Sequence, residues 1–210
     1  MVLTMIPGML RAMLIFFLTL VFSLPLGMVV MALRRSNNTV VSSLTKAFIA
    51  VMRGTPLMLQ LLAWYFAPYY LFRLSISGYR FTAIIIGFSL NYAAYFAEIY
   101  RAGIEAIPAG QYEAAKVLGY SRSQTFLRII LPQVIRTILP AVTNEVITLV
   151  KDTSLAFALA YTEVFSIAKQ ISSSQTSFTP FVIAGTFYFV ANYIVAWAME
   201  KLEQAFRYYD

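Results

Sequence analysis

The chain contains no cysteine and no histidine among its 210 residues. Disulfides, thiol nucleophiles, imidazole bases and the commonest zinc ligands are thereby excluded, while the redox compartment stays open. Charge is also scarce: 12% of residues are Asp, Glu, Lys or Arg, 60% are hydrophobic, and the mean hydropathy is +0.72. An average soluble domain carries roughly 25% charged residues, so the composition points to an all-α protein that crosses a membrane several times. No G-x-x-x-x-G-K-[ST] run is present, which leaves no phosphate-cradling loop for ATP. Ser-centred, Cys-centred and metal-ligand constellations are missing too, so the chain is expected to be no enzyme and to hold no cofactor or metal of its own. The net charge of +7 comes from residues at the ends of apolar segments and not from a patch, which speaks for membrane orientation and against nucleic acid.

Five spans are predicted within one domain covering residues 1–210. The first runs from about Pro7 to Leu33 and stops at Arg34-Arg35. It is too long for a signal h-region and lacks a convincing cleavage site. Helical spacing of Val40, Leu44, Ala47, Phe48 and Val51 then predicts a half-buried approach helix over Thr39–Arg53. Arg53-Gly54-Thr55-Pro56 ends it, with Thr55 expected as N-cap and Pro56 as the first residue of span 2, to about Phe72. Span 3 covers about Phe81–Ile107, span 4 starts near Pro132, and span 5 covers about Pro180–Met199. Lys151-Asp152-Thr153-Ser154 is expected to interrupt span 4, with a short helix over Leu155–Ser172 near the outer surface. Arg34, Arg35, Arg101, Lys116, Arg122, Arg128, Arg136, Lys201 and Arg207 fall on one side of this topology, against Arg11, Arg73, Arg80 and Lys169 on the other. The basic excess marks the cytosolic side, placing the N-terminus outside and the C-terminus inside.

Between spans 3 and 4, residues 108–132 form a polar and basic island. Glu113–Leu118 favours helix, Gly119 suits a left-handed helix stop, and Ser121 can cap the next helix, so two short helices are predicted to meet at a sharp elbow. Small Ala114 and Ala115 let a partner backbone approach, and Glu113, Lys116, Arg122 and Arg128 offer charge that lipid would not accept.

Within the spans, Asn91, Tyr95 and Glu98 share one face of span 3, continued by Glu105. In span 4, Glu145, Thr148 or Leu149, and Asp152 share another, with Asn144 and Lys151 beside it. A lone carboxylate at bilayer depth costs on the order of 3 kcal/mol or more, so each must face protein or a wet cavity. Glu98 is best read as paired with Arg101 one turn on. Asp152 suits either a cap for the helix starting at Thr153 or Ser154, or a ligand contact. Glu145 has no basic residue one turn away and is read as cavity-facing. Asn91 and Glu145 fall near mid-membrane, with Asp152 nearer the outside. A ligand ammonium can meet Glu145 and Asp152, and a carboxylate can meet Lys151 or backbone donors around Thr153 and Ser154, where the expected helix break would open an N-terminus. Tyr92 and Tyr95 are candidates to wall such a site, although packing is the commoner role of aromatics at that spacing.

Glu113-Ala114-Ala115, Gly119, Ile129 and Leu131-Pro132 reproduce a pattern of EAA, three residues, G, nine residues, I-x-LP that resembles the coupling loop of ABC importer membrane subunits. Together with Arg-Gly-Thr-Pro at 53–56, NYAAYFAEIYRAGIEAI and Asn144-Glu145 followed by Lys151-Asp152-Thr153-Ser154, the sequence resembles a permease of the polar amino-acid uptake type: histidine, arginine, glutamine or cystine. The segment before span 1 is short against that pattern, which leaves a trimmed N-terminus open. The resemblance implies a type I importer fold in the bacterial cytoplasmic membrane. It implies two permease copies, identical or not, a dimer of ATPase subunits that carry ATP and Mg, an extracytoplasmic solute-binding protein and a polar amino-acid substrate. Contact with the ATPase would fall on Glu113, Ala114, Ala115, Gly119 and Arg122; the substrate would meet Glu145, Asp152, Asn91, Tyr95, Lys151 and Thr148. The competing reading is an ATP-independent secondary carrier or small channel, in which Glu98, Glu145 and Asp152 conduct protons or cations. A purely structural scaffold would need no buried acids.

Overall fold

The computed structural model describes residues 1–206; Arg207, assigned above to the cytosolic tail, lies outside the described residues. Nine α-helices account for most of these residues, and no strand occurs among them: α1 Val2–Arg34, α2 Thr39–Gly54, α3 Leu57–Phe72, α4 Arg80–Glu105, α5 Ala109–Val117, α6 Arg122–Thr125, α7 Leu131–Asp152, α8 Val164–Gln175 and α9 Thr179–Phe206. A π-helical turn, Phe126–Ile130, joins α6 to α7, and a 3-10 helix, Thr153–Leu159, follows α7.

Four segments are long and apolar enough to cross a membrane alone: α1, α4, the run from α6 through the 3-10 helix, and α9. The fifth exists only if α2 and α3, bent at 115° to each other, count as one broken span. At 1.5 Å per residue, the 16 residues of α3 reach about 24 Å, short of the ~30 Å hydrocarbon core.

The sequence at the bend explains it. Pro56 brings no N–H and pushes Thr55 out of the helical region, to φ −121° and ψ 150°. Pro56 itself is the N-cap of α3, and Thr55 closes α2 instead of capping α3 as expected. A break in apolar surroundings orphans carbonyls that must be satisfied internally. Met52 O accepts from Gln60 Nε2 and from Asn91 Nδ2, each at 2.9 Å, and the Thr55 hydroxyl accepts from Gln60 Nε2 at 2.8 Å.

α4 is the hub. Phe88, Tyr92, Phe96 and Tyr100 form its buried stripe, packed with Ile15 and Phe16 of α1, Leu61 of α3, and Val146, Leu149 and Val150 of α7. Close approach needs small residues: a Cβ on Gly103 would lie 2.1 Å from Ile138 Cγ2 of α7, so only glycine lets α4 and α7 cross there. At the opposite end of the molecule Met5, Met9 and Ala12 of α1 pack on Val164 and Ala168 of α8 and Ala184 of α9.

Candidate functional site

The elbow is built as its residues dictate. α5 ends in a Schellman arrangement: Tyr120 N–H donates to Ala115 O at 3.0 Å and Gly119 N–H to Lys116 O at 3.1 Å, with Gly119 at φ +77°. Ser121 then caps α6 with a full capping box, its Oγ accepting from Gln124 N at 3.3 Å while Gln124 Oε1 accepts from Ser121 N at 2.9 Å. Two features depart from the sequence reading. Ala115 is fully buried within the elbow, so of the two alanines Ala114 alone is exposed. The second helix is not short: α6, the π turn and α7 run on from Arg122 to Asp152, so span 4 begins at the elbow and not at Pro132. Glu113, Lys116, Arg122 and Arg128 are exposed. Beside them stand Val117 and Leu118, apolar and 87% and 73% exposed, the most exposed large apolar side chains of the loop. Helix-propensity reading passed over these two; an apolar pair bounded by Lys116 and Gly119 is the signal that can find them.

The polar residues inside the helical bundle fall into three groups. Asn91 is not open to a cavity as expected. It is 4% exposed, and its amide donates to Met52 O and to Gln60 Oε1 at 2.9 Å each, which makes it a pin for the α2–α3 break.

Glu98 lies at the centre of a cationic cluster. Arg101 Nη2 donates to Oε2 at 2.9 Å, as the helical spacing predicts, and Arg34 of α1 pairs with Oε1. Arg53 stands off at 3.9 Å, and Arg101 also pairs with Glu105. Neither Arg34 nor Arg53 was visible as a partner, because both are distant in sequence.

Glu145, Thr148 and Asp152 share one face of α7 and are all part-buried. Asp152 caps nothing; its Oδ2 accepts from the Tyr92 hydroxyl at 2.7 Å. It therefore lies level with the middle of α4 and not near the outer end. Glu145 has no hydrogen bond or ion pair among the described residues, and Arg53 and Asp152 are the charged groups within electrostatic range of it. Tyr95 is half-buried beside Tyr92, with the Arg53 guanidinium 5.2 Å above its ring centre.

The expected carboxylate partners do not fit. Lys151 is exposed, on a different side of α7 from Glu145 and Asp152. The 3-10 helix at Thr153 continues α7 without a break, so no helix N-terminus opens there. The next one is at α8, where Glu163 is the cap, and it separates the 3-10 turn from α8 in place of the single helix expected over 155–172.

A cavity of about 550 Å³ lies between the end of α2, α4 and α7, lined by Arg53, Glu98, Arg101, Thr137, Ile138 and Ala141 among others. Thr137, Ala141, Glu145, Thr148 and Asp152 recur at intervals of four, four, three and four, so the face of α7 that lines the cavity continues into the carboxylates. Its size is ordinary for a small-molecule site.

The fold agrees with what known proteins show. Residues 23–208 match the family described as "Binding-protein-dependent transport system inner membrane component". Among curated relatives, the chain is 35% identical over 192 residues to the "Probable amino-acid ABC transporter permease protein PatM" of Vibrio harveyi, covering 89% of this chain and 86% of that one. It is 39% identical over 196 residues to the "Octopine transport system permease protein OccM" of Rhizobium radiobacter, covering 88% and 80%. Its fold matches a chain from the "Crystal structure of an amino acid ABC transporter with histidines" with a TM-score of 0.87 and 31% identity, over 96% of this chain and 93% of that one. The chain therefore belongs to the binding-protein-dependent inner-membrane permeases, among those of the amino-acid ABC type.

Proposed function

We propose that this permease forms the translocation path for a polar amino acid and couples it to a separate ATPase. The observation that carries the proposal is mechanical. One helical run from Arg122 to Asp152 has the exposed elbow at one end and the inward carboxylates Glu145 and Asp152 toward the other. Force applied at the elbow is thereby transmitted to these carboxylates, which continue the α7 face that lines the cavity. An ATPase dimer docks on Glu113, Ala114, Arg122 and the apolar pair Val117-Leu118, with Gly119 setting the turn. A second permease copy, identical or not, completes the path, and an extracytoplasmic binding protein delivers substrate. The elbow, Arg34 and Arg35 lie on the cytosolic side, so the N-terminus is outside and the C-terminus inside. Beyond the cavity, along the same face of α7, Glu145 and Asp152 receive the substrate ammonium, and Thr148 and Tyr95 flank them. Acidic lining suits lysine, arginine or histidine, and a zwitterion such as glutamine or cystine also presents an ammonium.

The test is reconstitution in liposomes with and without the partner ATPase, following uptake of labelled lysine and glutamine. Uptake is expected only with the ATPase and ATP inside. Uptake driven equally well by a proton gradient alone would show a self-sufficient carrier and overturn the proposal.

A further inference from the structure

We propose that Arg53 is the carboxylate-recognising residue of the cavity, facing Glu145 so that the two clamp the opposite charges of an amino-acid zwitterion. The inference rests on Glu145 as the ammonium partner and adds the other half of the site.

Three guanidiniums cluster around Glu98, and they are not equivalent. Arg34 pairs with Oε1; Arg101 donates to Oε2 from Nε at 3.3 Å and from Nη2 at 2.9 Å and to Glu105 from Nη1. Both oxygens of Glu98 are thus engaged without Arg53, whose nearest nitrogen is 3.9 Å away, beyond hydrogen-bonding distance. Among the described residues Arg53 makes no hydrogen bond at all. A guanidinium has five donors in a planar fork that matches a carboxylate in bidentate geometry. Here the guanidinium lies over Tyr95, its Cζ 5.2 Å from the ring centre, a contact that uses none of its N–H donors on an oxygen acceptor. Its side chain is 44% exposed, and it lines the 550 Å³ cavity.

Glu145 supplies the complementary group. It is part-buried, unpaired among the described residues, and close enough to Arg53 to interact electrostatically, yet no ion pair joins them. Arg53 lines the cavity, and Glu145 lies one helical turn beyond Ala141 of its lining on the same face of α7; two opposite charges so placed, without closing on each other, leave a slot for a molecule bearing both. The ammonium and carboxylate of an α-amino acid sit on one carbon and meet that requirement. The bend at Thr55-Pro56 matters here, because it carries Arg53 at the very end of α2, where the helix turns away.

The experiment uses the permease purified with its ATPase in detergent. Equilibrium binding of lysine, glutamine and cadaverine, which is lysine without its carboxylate, is measured for wild type, Arg53→Gln, Arg53→Lys and Glu145→Gln. Wild type is expected to bind lysine at least about tenfold more tightly than cadaverine. Arg53→Gln should weaken lysine and glutamine by about tenfold or more and leave cadaverine unchanged, so that the preference disappears. Arg53→Lys, which keeps the charge and loses the fork, should restore part of it. Unaltered lysine binding in Arg53→Gln, or equal losses for lysine and cadaverine, would overturn the assignment and leave Arg53 as part of the Glu98 cluster; so would a wild type that binds neither amino acid. Glu145→Gln separates the two readings. If it weakens lysine while Arg53→Gln does not, only the Arg53 assignment fails; if it weakens nothing, the cavity reading beneath it fails.

Discussion

Tyr92 and Asp152 are joined across α4 and α7 by a 2.7 Å hydrogen bond in which the phenol donates to Oδ2. The bond fixes the depth of Asp152 and supplies the one donor, among the described residues, to a carboxylate in apolar surroundings. Tyr92→Phe keeps the ring and removes that donor. A hydrogen bond to a charged group contributes about 1.5–3 kcal/mol, so the thermal midpoint in detergent should fall, while Asp152→Asn, which retains an acceptor, should cost less. Equal midpoints for wild type and Tyr92→Phe would show that the bond does not hold α4 to α7.

Glu145→Gln keeps the shape of the α7 face and removes the charge. Because Glu145 has no hydrogen-bond or ion-pair partner among the described residues, stability should change little, whereas substrate affinity should fall roughly tenfold to a hundredfold. The loss should be largest for a dibasic amino acid. Binding and melting measured on the same preparations check this; a destabilised protein with unaltered binding would make Glu145 a structural residue.

Gly119 has φ +77°, and a Cβ there would meet nothing within 4 Å. Any cost of substitution is therefore backbone strain, about 1–2 kcal/mol for an L-residue in the left-handed region. Gly119→Val should lower substrate-stimulated ATPase activity in the assembled importer, and Gly119→Asn, which tolerates positive φ, should largely preserve it. Equal activity in the two variants would place the coupling contact elsewhere.

Glu163 is fully buried at the start of α8, accepting from Phe165 N–H at 2.6 Å, Ser166 N–H at 2.7 Å and the Tyr188 hydroxyl at 3.0 Å. Burial pushes its carboxyl above the ordinary range, and these hydrogen bonds only partly oppose it. The folded state then holds a proton that the unfolded chain has released. Between the ordinary carboxylate pKa and the raised one, stability should fall as pH rises. Glu163→Gln should flatten that slope, and Glu163→Ala, which orphans the cap, should cost about 1–3 kcal/mol. Unfolding temperature followed against pH for the three proteins checks both.

The sequence by itself determined what depends on neighbours along the chain. Gly119 and Ser121 set the elbow, Thr55-Pro56 broke α2 from α3, long apolar runs placed α1, α4 and α9, and helical spacing paired Glu98 with Arg101. Each rests on backbone geometry or a one-turn contact, which local sequence encodes. Tertiary structure decided what depends on distant segments. Asp152 meets Tyr92, 60 residues away, instead of capping its own helix; Asn91 serves the α2–α3 break instead of a cavity; Arg34 joins Glu98 across 64 residues. Lys151 lies exposed on another side of α7 from Glu145, and the Thr153 backbone opens no helix N-terminus because α7 passes smoothly into a 3-10 turn. Which of several plausible partners a polar side chain takes in apolar surroundings is fixed only when helices pack, since the strong cost of an unsatisfied group makes it bond to whatever donor the packing brings near.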